Sequence, residues 1–510
     1  MKRYIGIEFG STRIKTVMID EKGKVESSGT YTWENKLENG FWTYSEKEIW
    51  EGIRNSVSEL VKRYGKESEI CGLGISGMMH GYIALDKSGK MLVPFRTWRN
   101  TNTGQAAAKL TKLFGFNIPM RWSIAHLYEA ILNGEEHVKE ISYLTTLSGY
   151  VHYKLTGEKV LGVGEASGMF PIDSETCNYD AAMLDKFDEL ISEKGYGWKI
   201  REILPKVLPA GEEGGRLTET GAKRIAERGT LSAGIALCPP EGDAGTGMVA
   251  TNSVKKRTGN VSAGTSVFAM TVLEKPLKEV HTEIDMVTTP EGLPVAMVHC
   301  NNCTSDLNAW ARLFGEVAKL VGKDLPSQEL MTLLFEESKK GEEDCGGLLN
   351  YNYLSGEPLT GMREGRPLFV RRADGKMTLA NFMKSQIYSS LASLAIGMEI
   401  LEKEGVKVEE MSGHGGFFKT PEVGQRAMSA AVKAPVTVME NAGEGGAWGI
   451  ALLAAYMGRK ESLSNYLSGI FEGRKRTTLR ADEKDKKEFT AYLKKYKSGL
   501  ETEKKATEVI

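Results

Sequence analysis

The chain has 510 residues, 41% hydrophobic and 26% charged, which is ordinary for a globular protein but too long for one hydrophobic core, so two large domains are expected. Its 66 basic and 67 acidic side chains leave a formal charge of -1. A chain so balanced has no global field with which to hold nucleic acid or an anionic membrane, and six cysteines over this length make no disulfide framework.

From Met1 the chain runs into a strand-like segment without the pattern of a signal peptide. Tyr4 to Phe9 reads as a buried strand, Gly10-Ser11-Thr12 as a turn, Ile14 to Ile19 as a second strand and Asp20 to Gly23 as the next turn. Ser45-Glu46-Lys47-Glu48 has capping-box spacing, and Ile49, Ile53, Val57, Leu60, Val61 and Tyr64 recur on one face of the helix it starts. Ile70 to Ser76 is strand-like, Gly77 to Gly81 a loop and Tyr82 to Leu85 another strand. Hairpin, helix and further strand indicate a mixed α/β domain. Gly157, closing Tyr153-Lys154-Leu155-Thr156-Gly157, reads as a helix C-cap.

A similar opening recurs in the second half. Thr258 to Ser262 and Val267 to Val272 are strands around the turn Ala263-Gly264-Thr265-Ser266, and Gly264 lies 254 positions after Gly10 (264 − 10). Two related halves are therefore expected, each presenting a hairpin turn to a shared cleft. The boundary falls near Ala250 to Lys256, giving domains at 1–250 and 251–480. From Glu483 onward the chain is rich in lysine and glutamate, which reads as a solvated helix and tail over 481–510. Cys300-Asn301-Asn302-Cys303 has CxxC spacing but no second pair or nearby ligand histidine, so it reads as two reduced thiols beside a strand. Gly445 to Gly458 is apolar and uncharged, yet shorter than the roughly 20 residues a spanning helix needs. A cytoplasmic protein is expected.

Nucleotide phosphates need many short hydrogen bonds from groups that come close. Glycine lets backbone N–H groups approach, and serine or threonine adds a hydroxyl donor. Gly10-Ser11-Thr12 and Gly264-Thr265-Ser266 both supply this, and Lys15 adds positive charge beside the first turn. Either alone fits an ordinary hairpin turn; their repetition at equivalent places favours phosphate binding. No G-x-x-x-x-G-K-[ST] occurs, so the phosphates would be gripped from two sides and not by a P-loop. Asp243, flanked by Gly242 and Ala244-Gly245, fits a turn carboxylate and a general base equally well from its residues alone.

The ordered set of motifs resembles the FGGY carbohydrate kinases of the actin/Hsp70-like ATPase superfamily. Tyr4-Ile5-Gly6-Ile7-Glu8-Phe9-Gly10-Ser11-Thr12 is similar to their first phosphate motif, and Asn260-Val261-Ser262-Ala263-Gly264-Thr265-Ser266 to the second. Leu208-Pro209-Ala210-Gly211 and Gly242-Asp243-Ala244-Gly245 resemble the approach to the catalytic aspartate. Leu354-Ser355-Gly356-Glu357 resembles the S-G-E segment, Gly413-His414-Gly415-Gly416 with Gln425 the adenosine motif, and Gly445-Gly446-Ala447-Trp448-Gly449 the late connecting helix. The motifs keep family order from residue 4 to about 455.

The resemblance implies an α/β fold of two RNase H-like, actin-like ATPase domains flanking a deep catalytic cleft, with ATP contacting both and sugar bound to the first. It implies Asp243 as general base and as a sugar contact, and Gly10, Ser11, Thr12, Lys15, Gly264, Thr265, Ser266, Gly415 and Gly416 as ATP contacts. Glu8 would hold Mg²⁺, one methylene longer than the family's usual aspartate. Ser76-Gly77-Met78-Met79-His80-Gly81 resembles the S-G-Q-M-H-G loop of xylulokinases, which makes Met79, His80 and Gly81 sugar contacts. Three departures bear on the sugar: Met78 for glutamine, Ala244 for asparagine, and Thr97-Trp98-Arg99-Asn100 where W-N-D or W-Q-D is usual, leaving Arg99 or Asn100 to replace a sugar-binding carboxylate. Glu165-Ala166-Ser167-Gly168, where D-A-S-G is common, reads as framework. The expected reaction is transfer of the γ-phosphate of MgATP to a ketopentose, D-xylulose-like first and L-ribulose second. The rival reading is an actin- or Hsp70-type ATPase switch. The expected partners are ketose and ATP, without nucleic acid or membrane, and the reading allows a homodimer.

Overall fold

The structure is a computed structural model that describes residues 2–62, 69–226, 231–439 and 445–509. It divides into two compact units. The first comprises Met1–Val254, Met286–Val295 and Asn441–Gly473, the second Lys255–Asp285, Ala296–Glu440 and Arg474–Ile510.

In the first unit the Arg3–Phe9 strand pairs antiparallel with Arg13–Asp20 and parallel with Ile70–Gly77. Arg13–Asp20 in turn pairs antiparallel with Val25–Thr32. Alternation makes one face of each strand apolar, and the helix Glu46–Lys62 covers that face with Ile49, Ile53, Val57 and Leu60, all buried. Tyr64, read as the last apolar position of this helix, lies outside the described residues. The Tyr82–Leu85 strand is present as Ile83–Leu85, paired with Tyr143–Thr145 and not with the main sheet. Gly157 ends the helix Leu147–Thr156 in the left-handed conformation at φ 84°, its amide donating to Tyr153 O.

The helix Gly445–Tyr456 lies against the sheet, with every residue from Gly446 to Tyr456 buried. A helix enclosed on all sides is apolar all round, which explains the run noted in the sequence. It comes very close: a Cβ on Gly6 would lie 2.0 Å from Ala447 O and 2.7 Å from Ala451 N, so the strand needs glycine there. No helix among the described residues is long and apolar enough to cross a membrane.

The strands of the second unit's sheet run in the order Val267–Val272, Thr258–Ala263, Glu410–His414, Val436–Met439, Arg476–Leu479. It repeats the antiparallel hairpin (Thr258–Ala263 with Val267–Val272) and the parallel neighbour (Glu410–His414) of the first unit. Cys300 and Cys303 are buried free thiols at the end of one strand. The C-terminal segment differs from the solvated helix and tail expected. Most of its lysines and glutamates form the outer face of the helix Glu483–Ser498, while Phe489, Tyr492, Leu493 and Tyr496 recur at helical spacing and are buried, with Glu488 beside them paired to Lys384 at 2.7 Å. The charge excess masked that apolar stripe.

Candidate active site

Asp243 opens the helix Asp243–Ala250, with Gly242 as its N-cap. The short strand Glu241–Gly242 pairs in parallel with Ser76 and Gly77, which brings Asp243 beside the loop that follows Ile70–Gly77. A hydrogen bond between Ser76 Oγ and Thr246 Oγ1, 2.9 Å, ties that strand to the helix. The Met79 amide donates to Asp243 Oδ1 at 3.1 Å. Surrounding protein raises the Asp243 carboxyl above the ordinary aspartate value, opposed by the Met79 amide and by Arg121. The side chain still reaches solvent, which limits that rise.

Glu8, at the end of the first strand, pairs across the sheet with Lys15 and Ser76. Its Oε2 accepts the Ala447 amide at 3.1 Å, at the start of the helix Gly445–Tyr456. Gly446 leaves room for it, since a Cβ there would lie 2.4 Å from Glu8 Oε1. Desolvation and then the Asp243 charge push Glu8 up to about 7, while the two amides and Lys15 oppose the rise.

The first hairpin turn is closed by Gly10 N–H donating to Arg13 O at 2.9 Å. Trp33 Nε1 donates to Gly10 O and the Tyr44 hydroxyl to Ser11 O, each at 2.7 Å. The two rings stack at 4.1 Å. These aromatic pins hold the turn's carbonyls inward, and Ser11 and Thr12 remain exposed.

In the Met78–Gly81 loop, Met78 is buried beneath Tyr44, with the tyrosine hydroxyl 3.5 Å from its sulfur. The replacement of glutamine here therefore fills the core of the unit. His80 adopts φ 73°, which is uncommon for a residue with a side chain. Its Nδ1 is 3.1 Å from Gly168 O. A carbonyl only accepts, so Nδ1 carries the proton and Nε2 keeps a lone pair. The ring stacks over Trp122 at 6.2 Å. Gly81 donates its amide to Arg121 O at 3.2 Å.

Asn100 spends its amide on backbone: Oδ1 accepts Trp42 N–H at 2.8 Å and Nδ2 donates to Trp42 O and Thr97 O, both at 2.9 Å. It clamps a loop, which leaves Arg99 as the residue of the pair turned outward, stacked 3.8 Å over Trp42. Arg121 carried no sequence signal, being a lone arginine outside any motif. Burial pulls its guanidinium down to about 10, with the Asp243 charge acting in the opposite sense.

In the second unit, Gly264 O accepts both Thr304 N–H, at 3.0 Å, and the Thr304 hydroxyl, at 2.8 Å. Gly415 packs on the end of the same strand, where a Cβ would meet Ala263 O at 2.3 Å, and its φ is 106°. Added Cβ atoms at Gly264 and Gly416 would meet nothing, so backbone is open at both. Gln425 donates its amide to Val436 O and Thr477 O and so serves as a strand tie.

Residues 3–236 match the N-terminal domain of the FGGY family of carbohydrate kinases, and residues 259–458 match its C-terminal domain. The chain belongs to the FGGY family of carbohydrate kinases. It is an ATP-dependent sugar kinase with the actin-like ATPase fold. This FGGY kinase is 21% identical over 468 residues to a xylulose kinase of Staphylococcus xylosus, covering 89% of this chain and 91% of that one. Among solved structures it is similar to ligand-bound xylulose kinase from Lactobacillus acidophilus, with a TM-score of 0.81 at 17% identity over 99% and 100% of the two chains. It is equally similar in fold to gluconate kinase from the same organism, with a TM-score of 0.81 at 18% identity over 99% of each chain.

Proposed function

We propose that this FGGY kinase transfers the γ-phosphate of MgATP to a hydroxyl of a small ketose, D-xylulose-like first and L-ribulose second, with Asp243 as general base. The observation that carries the reading is the Met79 amide on Asp243 Oδ1, which joins the Met-His-Gly loop to a carboxylate able to take a proton. The family relatives named xylulose kinase support the choice of sugar.

In the proposed reaction the sugar lies against Met79, His80 and Gly81, and Arg99, exposed over Trp42, is the further candidate contact. His80 Nε2 accepts a sugar hydroxyl, and the Met79 side chain meets a carbon face. Asp243 orients the attacking hydroxyl and accepts its proton as oxygen attacks phosphorus. Gly10, Ser11, Thr12 and Lys15 in the first unit, and Gly264, Thr265, Ser266, Gly415 and Gly416 in the second, are the proposed ATP contacts. The Asp243 charge raises the Glu8 carboxyl, and an uncompensated carboxylate there suits a hard divalent cation; Glu8 would hold Mg²⁺, which would neutralise charge on the phosphates.

The test is ADP release with MgATP and a panel of D-xylulose, L-ribulose, D-ribulose and D-gluconate. A ketose-dependent rate far above the sugar-free rate is expected. ATP turnover that ignores every sugar would favour an ATPase switch, and turnover with gluconate alone would replace the ketose.

A further inference from the structure

Behind Asp243 lie two carboxyls that the proposed reaction does not use. Glu165 and Glu241 are 0% and 1% exposed. Glu241 turns back onto the start of the short helix Val163–Ala166, where Oε1 accepts the Gly164 amide at 3.3 Å and Oε2 the Glu165 amide at 2.8 Å. Two glycines make room for it: a Cβ on Gly162 would lie 2.1 Å from Glu241 Oε1, and one on Gly164 2.5 Å from Oε2.

Glu165 is less well satisfied. Its Oε1 takes the Ser148 hydroxyl at 3.5 Å, and Oε2 has no hydrogen-bond partner among the described residues. That oxygen lies against the backbone of Gly242, where a Cβ would be only 2.2 Å away. Gly242 is the N-cap of the helix that Asp243 opens, so the Glu165 carboxyl backs directly onto the mount of Asp243.

Three carboxyls so close cannot all be charged without cations between them. Facing Glu165 are Asp243, Glu241, the hydroxyls of Thr146 and Ser148, and the Tyr179 phenol. Glu241 also faces the Cys238 thiol, and Asp243 faces Glu8 and Arg121. No lysine or arginine forms an ion pair with Glu165 or Glu241 among the described residues. Backbone amides favour charge on Glu241, and solvent, Arg121 and the Met79 amide favour it on Asp243. Glu165 has a bare oxygen and no amide, so of the three it holds its proton most firmly; burial also drives its carboxyl well above the ordinary range.

We propose that Glu165 works as a neutral carboxylic acid, a positioning residue that supports Gly242 and Asp243 from behind without placing a second negative charge beside the base. The inference rests on Asp243 being that base. Loss of the Glu165 proton at high pH would set like charges against Gly242 and displace Asp243, so Glu165 also contributes to the alkaline limit of activity.

Infrared difference spectra of the whole protein at neutral pH, wild type minus Glu165→Gln, should contain the carbonyl stretch of a protonated carboxylic acid. Ser148→Ala, which removes only the hydroxyl donor, should shift that band. In the ketose assay Glu165→Gln should keep turnover within about threefold. It should leave the acid limb of kcat/KM in place and move the alkaline limb up by at least about one pH unit. A wild-type-minus-Glu165→Gln spectrum without a protonated-acid band overturns the proposal, as does an alkaline limb that stays put. So does an acid limb that drops by about one unit, the mark of a removed negative neighbour. Should Glu165→Gln not fold, an unmoved band in Ser148→Ala is the overturning result. Failure of the base reading appears separately, as an Asp243→Asn enzyme that still phosphorylates ketose, and leaves the infrared result standing.

Discussion

Met79 holds Asp243 through its backbone, its amide 3.1 Å from Oδ1, while its side chain packs near the Cα of the preceding Gly242. One residue of the Met78–Gly81 loop thus fixes both the carboxylate and its mount. If the loop binds sugar and Asp243 is the base, as proposed, a shift in the loop is a shift in the base, and two contacts couple sugar recognition to chemistry.

Asp243→Asn tests the chemistry at its centre. An asparagine Oδ1 can keep the Met79 amide bond but cannot accept a proton at neutral pH. Loss of a positioned base costs roughly 10²–10⁴-fold in rate, so ketose turnover should fall by at least about 10²-fold with the melting temperature and ATP affinity little changed. Steady-state kinetics and thermal melts decide it. Near-normal ketose phosphorylation would move the role of base to another carboxylate, with Glu8 the first to examine.

Gly168→Ala should damage sugar binding without touching the nucleotide. The added methyl would lie 2.7 Å from both His80 Nδ1 and Met79 Cε, so the loop must move. The KM for ketose should rise and that for ATP should hold. His80→Ala should act in the same direction, at a cost on the order of 1–3 kcal/mol for a lost hydrogen bond. If both KM values rise together, His80 is a packing residue held by Gly168 O.

With Asp243 as the proposed base, Arg121 should set the pH range in which it serves. Its charge lowers the Asp243 carboxyl value, and the base must be ionised to act. Removing the guanidinium by Arg121→Met lets that value climb, so the acid limb of kcat/KM should move to higher pH by about one unit. Activity is then lost at pH values where the wild type still works. An acid limb that does not move would separate Arg121 from Asp243.

The strands and the turns between them were legible because they are local. Alternation in Tyr4 to Phe9 and the glycine at position 10 produce a hairpin wherever they occur, and the structure has one there. Asp243 could be singled out only through the ordered motifs, since a carboxylate in a Gly-rich loop is chemically ambiguous. Long-range placement was not legible. Nothing near Gly445 says that its helix lies on Gly6, more than 400 residues earlier in the chain (445 − 6 = 439). Arg121 and Glu165 were missed for the same reason: their significance lies in what they face. Asn100 misled because an amide suits a sugar as well as it suits the Trp42 backbone, and only the fold chooses between them.

Stability should fall as the pH rises, the reverse of the acid sensitivity usual for paired carboxylates. Burial lifts Glu241 from 4.5 to about 8 and Glu8 from 4.5 to about 7. Between those limits the folded protein binds more protons than the unfolded chain. Stability then declines with increasing pH, each unit of difference corresponding to about 1.4 kcal/mol. The contribution is present in full below the unfolded value and gone once the pH passes about 8 for Glu241. Differential scanning calorimetry should therefore show the melting temperature dropping by several degrees between about pH 6 and about pH 9. Glu241→Gln removes the titration but turns one amide N–H₂ group toward a backbone donor. It should melt lower than wild type at about pH 6, from the bond lost, yet lose less on going to about pH 9. A variant whose melting temperature falls as steeply as that of the wild type would show that Glu241 is not the group being ionised.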